Sequence, residues 1–416
     1  MKNNLNPAKG MRDFLPNEQA IRDYVERTII DVYKKSGFEL IETPVVENIE
    51  NLLGSQGGDN LKLIYKILKR GNKLDLNKQG LTEDEIVELG LRYDLTIPLS
   101  RFYCNNRHNL PAVMKAIQVG NVFRAERAQK GRYRSFKQCD IDIIGDGSSN
   151  AEIELLTASA KALNSLNVNN FQIKINDRRI LRSVILNCGF DEDSFDNVCI
   201  ILDKLDKIGI QGIEQELLSK GYNKDNINSI MEATKHLNSG DLSILSEFGV
   251  SRDVLNNMEY IISSVRKMAR NKYDIAYDFT LVRGMGYYTG PIFEMVYEDL
   301  GYSIAGGGRY DTMIGQFIGQ DIPAVGFSIG FERLVNKLID DNFIVPNINK
   351  LALFYEDYDD FTEVMNSADD FRSEGYSVTI NLKPKKLNKV LDQLSKNGFT
   401  KFCVYDKENC TVKELN

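Results

Sequence analysis

Residues 123–145 read FRAERAQKGRYRSFKQCDIDIIG. Both ends continue β-type patterns, AIQVGNVFRAE at 116–126 and FKQCDIDIIG at 136–145, so the stretch reads as two strands joined by a loop. From Arg124 to Lys137 there are six basic residues and one acid. Lysines alone would suit a solvated loop. Four arginines interleaved with Tyr133 and Phe136 suit planar, bidentate recognition of an anion, either a polyphosphate or RNA. In the second strand Gln138 and Asp142 share a face, and Asp140 is expected on the opposite one.

Outward from this pair, the chain alternates strands and helices without a doubly wound rhythm. Residues 17–36 carry apolar side chains at helical spacing and stop at Gly37. FELIETPVVE (38–47) reads as a strand in which Pro44 implies an edge, a bulge or a meeting with another chain. LGLRYDLTIPLSRF (89–102) reads as strand into helix, with Pro98 in the first turn. AEIELLTASAKALNSL (151–166) is an amphipathic helix and FQIKIN (171–176) a strand. Residues 178–270 are rich in Lys, Asp and Asn and contain no proline, which predicts an all-helical insertion. Strand patterns then return, and LVRGMGYYTG (281–290) reads as strand, tight turn, strand. PAVGFSIGFERLVNKLI (323–339) passes from strand to helix. The tail, 350–416, alternates strand and helix as a small α/β domain does.

Composition bounds the function. With 416 residues, 42% hydrophobic and 27% charged, the chain fits a globular protein of two or three domains. Its longest apolar runs are too short to span a bilayer and the start has no apolar signal region, so a cytoplasmic protein with no membrane partner is expected. Six scattered cysteines form no CxxC pair and read as reduced thiols. Only two histidines are present, so neither a zinc site nor His-based acid–base chemistry is expected, and His108 sits in a polar loop. The net charge of −7 gives no global argument for nucleic acid. Neither GxGxxG nor GxxxxGK[ST] follows the first strand. AGGGRYD (305–311) has neither spacing; its glycines mark either crowded backbone or close approach of a ligand.

Arg124 interrupts an apolar strand pattern, Arg283 enters a glycine turn, and Arg333 opens a helix after GFSIGFE. Each alone fits a structural ion pair. Together, beside glycine-rich backbone, they suit neutralising a triphosphate and stabilising charge that moves during phosphoryl chemistry. Asp94, in LRYDLT, either caps the following helix or holds an ammonium or a nitrogen heterocycle.

These segments resemble a known family. FRAERAQKGRYRSFKQCDID is similar to motif 2 of class II aminoacyl-tRNA synthetases, GFSIGFERL to motif 3, and GFELIETPVVE, with Pro44, to motif 1. LRYDLT, LVRGMGYYTG, AGGGRYD and KGMRDFLP resemble the histidyl-tRNA synthetase branch, in order over residues 9–333. The resemblance implies an α+β fold: an antiparallel class II sheet flanked by helices, with a helical insertion and a C-terminal α/β anticodon-binding-like domain. The implied domains are a catalytic domain at 1–333 interrupted by the insertion at 178–270, a linker at 334–349, and the tail at 350–416. The implied activity is ATP-dependent formation of histidyl-adenylate and transfer to tRNA-His by a homodimer, with Mg2+ accompanying ATP and no metal held by side chains alone.

By motif, Arg124 and Arg283 are the implied catalytic residues. Arg124, Glu126, Arg132, Phe136 and Arg333 would bind ATP, with Phe136 stacked on adenine. Asp94, Thr96, Gln138, Asp142, Arg283, Tyr287 and Tyr288 would bind histidine. Gln129 would read the extra 5′ guanosine of the tRNA. Two positions depart from the family pattern: Gly286 stands where an acid is usual, and Ala128 where many bacterial members have proline. The alternatives are a non-catalytic regulatory paralogue of the ATP phosphoribosyltransferase type, which binds histidine, and a paralogue that adenylates without tRNA.

Overall fold

Pro44 splits the stretch 38–47, expected as one strand, into two short strands that join different sheets in a computed structural model of the chain. The structure describes residues 5–54, 58–74, 80–127, 133–237, 241–282, 286–297, 302–346, 349–408 and 410–415. The first elements are α1 (Pro16–Lys35), β1 (Glu39–Leu40), β2 (Val46–Asn48), α2 (Ile49–Leu53), β3 (Lys66–Leu68), α3 (Glu83–Ile86), β4 (Val87–Leu91) and α4 (Thr96–Asn106). Then come β5 (Met114–Phe123), β6 (Ser135–Ile144), α5 (Ser149–Ser165) and β7 (Phe171–Asp177). A helical run follows: α6 (Arg178–Asn187), α7 (Phe195–Leu202), α8 (Leu205–Ser219), α9 (Lys224–Leu237) and α10 (Arg252–Ala269).

The chain returns to sheet with β8 (Tyr273–Tyr277), β9 (Pro291–Tyr297) and β10 (Tyr302–Arg309), then α11 (Gly315–Ile318), β11 (Ala324–Gly330) and α12 (Phe331–Asp340). The tail holds β12 (Lys350–Tyr355), α13 (Phe361–Ser373), β13 (Ser377–Leu382), α14 (Leu387–Lys396), β14 (Lys401–Val404) and β15 (Lys413–Glu414).

The main sheet has eight strands in the order β1-β5-β6-β11-β10-β9-β7-β8. The six inner strands pair antiparallel, while β1 joins β5 and β8 joins β7 in parallel. A parallel neighbour needs a long crossover, and α6 to α10 supply it between β7 and β8. The helical run is therefore threaded through the sheet's own connectivity, with α10 packed on α5 and β8. The β2-β4-β3 sheet is separate, and a small core of Leu52, Ile64, Tyr93 and Ile97 ties its surroundings to α4.

Among the described residues of 281–290, no strand of the expected hairpin forms. β8 and β9 lie on opposite sides of β7, which pairs with both, so no ladder remains between them. Leu281 and Val282 are irregular, and the next strand begins only at Pro291. Helix α12 ends at Asp340, close to the end read from the sequence, with Leu334, Val335 and Leu338 buried at helical spacing; the first half of the segment 334–349, expected as a linker, is thus helix.

The chain divides into two compact units, Met1–Asp13 with Val25–Lys337 and Phe14–Tyr24 with Leu338–Asn416. In the second, β12 lies between parallel neighbours β13 and β14, and β15 closes the sheet antiparallel to β14. Leu353, Val364, Ala368 and Cys403 form its core. Among the described residues no helix is long and apolar enough to cross a membrane.

Candidate active site

The two faces of β6 carry different chemistry. Odd positions turn toward the helices: Lys137 pairs with Glu26 of α1, and Cys139, Ile141 and Ile143 are fully buried. Even positions hold Gln138, Asp140 and Asp142. Strand period is two, so all three share one face. This corrects the expectation that Asp140 points away: positions 138, 140 and 142 have the same parity.

Sheet register extends this face across neighbouring strands. Asp142 lies between Ala116 of β5 and Gly326 of β11, and Gly326 pairs in turn with Gly308 of β10. Asp140 lies between Gln118 and Ser328, with Gly306 beyond, and Gln138 between Gly120 and Gly330. Three polar side chains are thus surrounded by small residues, and several glycines are obligatory. A Cβ on Gly326 would lie 2.0 Å from Asp142 Oδ1, and one on Gly308 would lie 2.8 Å from Tyr288 Cδ1. Within AGGGRYD, Gly308 therefore leaves room for the Tyr288 ring. Gly307 serves packing instead, since its Cβ would meet the Gly326 carbonyl oxygen at 2.0 Å. Arg309 is also structural: it is buried and paired with Glu152 and Asp311.

Above the floor stand aromatic groups. Tyr310 donates its hydroxyl to Asp142 Oδ1 at 2.7 Å. Its ring lies edge-on to Tyr287 with centroids 6.2 Å apart, and Tyr287 meets Tyr288 at 4.8 Å. Tyr310 was not among the expected site residues. It is far in sequence from motif 2, and only the β6-β11-β10 register brings it over Asp142. Its place directly after GGGR is the one signal the sequence carries.

One carboxylate oxygen of Asp94 is engaged at the start of α4 and the other is not. Oδ1 accepts the backbone N–H of Ile97 at 3.3 Å and caps α4, whose first residue is Thr96. Oδ2 is buried and has no hydrogen-bond partner. Gln138 donates Nε2 to Ser328 Oγ at 3.1 Å, which leaves its Oε1 without a partner, and Asp140 Oδ1 is in the same condition. Burial pushes the Asp94 carboxyl up to about 6, against the lowering pull of the Ile97 N–H and Arg124. Burial pushes Asp142 up to about 7, opposed by the Tyr310 hydroxyl and reinforced by Asp94. Asp140 is held well above the usual carboxylate range by burial and by Asp142. Three acids crowd a dry face, so a cation entering it gains more than it would in water.

The expected phosphate side lies at the β5 exit. Arg124 donates Nε to the Tyr93 carbonyl at 3.0 Å and lies over the Phe136 ring, 5.1 Å from its centroid. The Glu126 carbonyl accepts from Arg134 Nε at 2.9 Å. Arg333, in the first turn of α12, donates to the Ser303 carbonyl, and its neighbour Glu332 accepts the Lys137 N–H at 3.2 Å. Gln129, Arg132 and Arg283 lie outside the described residues, as does Ala128. Gly286 is described and exposed. Among the described residues no group of three or more His, Cys, Asp or Glu side chains is placed to hold a metal.

An antiparallel six-strand core with a motif 2 strand pair, a motif 3 strand–helix at β11–α12 and a polar sheet face between them is the architecture of a class II aminoacyl-tRNA synthetase. Residues 10–334 match the family described as histidyl-tRNA synthetase. A histidine–tRNA ligase of Leifsonia xyli is 38% identical, covering 99% of this chain and 98% of that protein. A probable histidine–tRNA ligase of Tropheryma whipplei is 39% identical, covering 96% of this chain and 95% of its own. The crystal structure of a histidyl-tRNA synthetase from Nostoc sp. PCC 7120 superposes with a TM-score of 0.78 at 27% identity, over 100% of this chain and 95% of that one. The chain belongs to the histidyl-tRNA synthetase family.

A structure titled as an ATP phosphoribosyltransferase regulatory subunit/histidyl-tRNA synthetase from Bacillus halodurans superposes with a TM-score of 0.76, over 97% of this chain and 99% of that one. At 20% identity it shares the fold.

Proposed function

We propose that this chain activates histidine with ATP and transfers it to tRNA-His. The observation that carries the reading is the even face of β6, where Gln138, Asp140 and Asp142 stand among glycines beside Asp94 and the Tyr287–Tyr288–Tyr310 cluster. A histidine side chain offers a donor and an acceptor, or two donors when protonated, and Asp142 and Tyr288 would meet them. Tyr310 would hold Asp142 in place, and Tyr287 would pack beside both. Asp94, Thr96 and Gln138 would take the α-amino group. An amino acid lacking the imidazole would leave these buried groups unpaired, which is how such a pocket discriminates.

In the first step a histidine carboxylate oxygen attacks the α-phosphorus. The bond from that phosphorus to the bridging oxygen breaks, and pyrophosphate leaves with its electrons. No side chain acts as nucleophile. Arg124 and Arg283 would both contact the α-phosphate, stabilising the charge of the five-coordinate phosphorus. Arg132 and Arg333 would meet the β- and γ-phosphates, Glu126 would hold the ATP end, and Phe136 would stack on adenine. Mg2+ would travel with ATP, held mostly by phosphate and water oxygens. In the second step a terminal ribose hydroxyl of tRNA attacks the acyl carbonyl and AMP leaves. Gln129 would read the extra 5′ guanosine.

Residues 1–333 would form the catalytic domain with its helical insertion at 178–270, and 350–416 the anticodon-binding-like domain. Pro44 and the exposed Leu40, Val45 and Val46 around it would meet a second copy in a homodimer. The enzyme would act in the cytoplasm. The test is charging of tRNA-His transcripts with labelled histidine. The full transcript should be charged and the one lacking its extra 5′ guanosine should be charged poorly. Histidyl-adenylate formation without charging of either would favour a tRNA-independent adenylating enzyme.

A further inference from the structure

We propose that Asp140 is a third acceptor for the α-ammonium of the substrate, beside Asp94 and Gln138. The inference rests on the amino-acid-activating reading above and deepens it. Three buried acceptor atoms in this region have no hydrogen-bond partner: Asp94 Oδ2, Gln138 Oε1 and Asp140 Oδ1. Leaving such an atom unpaired in a dry site is costly, so three gathered in one region call for a common reason. An ammonium supplies it, because it presents three N–H donors on one charged nitrogen.

The three groups are gathered by the fold. Gln138 and Asp140 are next neighbours on one face of β6 and share Ser328, which hydrogen-bonds both. Asp140 pairs across the ladder with Gln118, and Gln118 donates Nε2 to the carbonyl of Leu95, the residue after Asp94, at 2.9 Å. Asp94 and Asp140 interact electrostatically.

The competing role is a structural partner for Arg92, whose charge Asp140 does feel. Arg92, however, gives Nη1 to the Thr43 carbonyl at 2.8 Å and Nε to the Asn121 carbonyl at 2.9 Å. Asp140 Oδ1 is left unpaired all the same. A buried acid with a structural partner can also keep one unpaired oxygen, as Glu152 Oε2 does beside Arg309; what sets Asp140 Oδ1 apart is that it shares a strand face with Gln138 Oε1 and lies close enough to Asp94 to interact with it.

The test uses the full-length protein with Asp140→Asn, which keeps the shape and can keep the Ser328 bond. Binding of histidine and of 3-(imidazol-4-yl)propionate, which lacks the amino group, is measured by calorimetry. The expected result is a loss of about tenfold or more for histidine, the size of a charge-assisted hydrogen bond, with imidazolylpropionate within about threefold of the parent. Equal weakening of both ligands, or unchanged histidine affinity, overturns the proposal. Melting of the unliganded variant separates the roles further. Replacing a buried carboxyl group that has one unpaired oxygen should leave the Tm equal or higher, whereas loss of a partner for Arg92 should lower it and would count against the proposal. If the wild type binds a different amino acid and not histidine, the histidine reading fails. The same comparison with that amino acid and its des-amino analogue then decides the role of Asp140.

Discussion

The even face of β6 and the interior of the tail sheet are both β-sheet surfaces packed among buried neighbours, yet they treat polar atoms in opposite ways. In the tail, Leu351, Ala352, Leu353 and Phe354 fill β12, and the polar groups sit outside in pairs such as Lys383–Glu356 and Lys407–Glu363. Among the described residues, no buried side-chain polar atom without a partner lies in residues 350–416. On and beside the β6 face, Asp94, Asp140 and Asp142 are buried, and Asp94 and Asp140 each keep an unpaired oxygen. Folding alone favours the tail's solution. The cost accepted on β6 is what the proposed amino-acid pocket would account for.

The contrast can be broken most forcefully through phosphate charge. Arg283→Ala is expected to lower histidine-dependent ATP–pyrophosphate exchange by about 10²–10³-fold, the effect of removing one preorganised donor at a transition state. Histidine affinity should stay within a few-fold. Near-normal exchange in the variant would remove Arg283 from the mechanism.

The pocket floor comes next. Gly326→Ala places a methyl 2.0 Å from Asp142 Oδ1 and should raise the KM for histidine about tenfold or more, while KM for ATP changes little. Tyr310→Phe removes the hydroxyl bonded to Asp142 and should cost about tenfold in kcat/KM for histidine. An equal loss for ATP and histidine in either variant would point to general damage of the sheet.

A pH experiment sharpens the same comparison with a smaller effect. Asp142 is raised to about 7 in the folded protein, above its unfolded value of about 3.9. Between those values the folded state binds the extra proton, so the Asp142 contribution to stability falls as pH rises through the window and is level above about 7. Asp142→Asn has no such dependence. The Tm difference, variant minus parent, should therefore grow from pH 4 to pH 7 and then flatten. A difference that shrinks over that range would reverse the sign assigned to this group.

The tail is expected to give the smallest effect on activation. Leu353→Ala opens a cavity in its core and should destabilise that unit by about 2–5 kcal/mol. Pyrophosphate exchange should stay within about twofold while tRNA charging falls more. Parallel loss of both would tie the tail to the activation step.

How much of this was legible in the chain depended on distance along it. The strand pair around the basic loop, the helical run at 178–270 and the strand–helix alternation of the tail are local patterns, and local periodicity found them. The pairing of β7 with both β8 and β9 is not local, so 281–290 resembled a hairpin that the ladder forbids. Tyr310 is out of reach of local patterns for the same reason, because β11 must align between β10 and β6 before it reaches Asp142. Asp140 was different. Its parity was visible in KQCDID, and counting by two would have placed it beside Gln138 and Asp142. Asp94 reads as either cap or ligand, and the structure engages one carboxylate oxygen with the Ile97 N–H while leaving the other unpaired, a division no one-letter code can express.

The account's central claim is that the β6 face is built for one amino acid. Amino-acid-dependent ATP–pyrophosphate exchange, run with each of the twenty amino acids on the full-length protein, tests it most directly. Histidine alone should support rapid exchange, with the others at background. Tight histidine binding without exchange, or comparable exchange with an amino acid that has no imidazole, would contradict it.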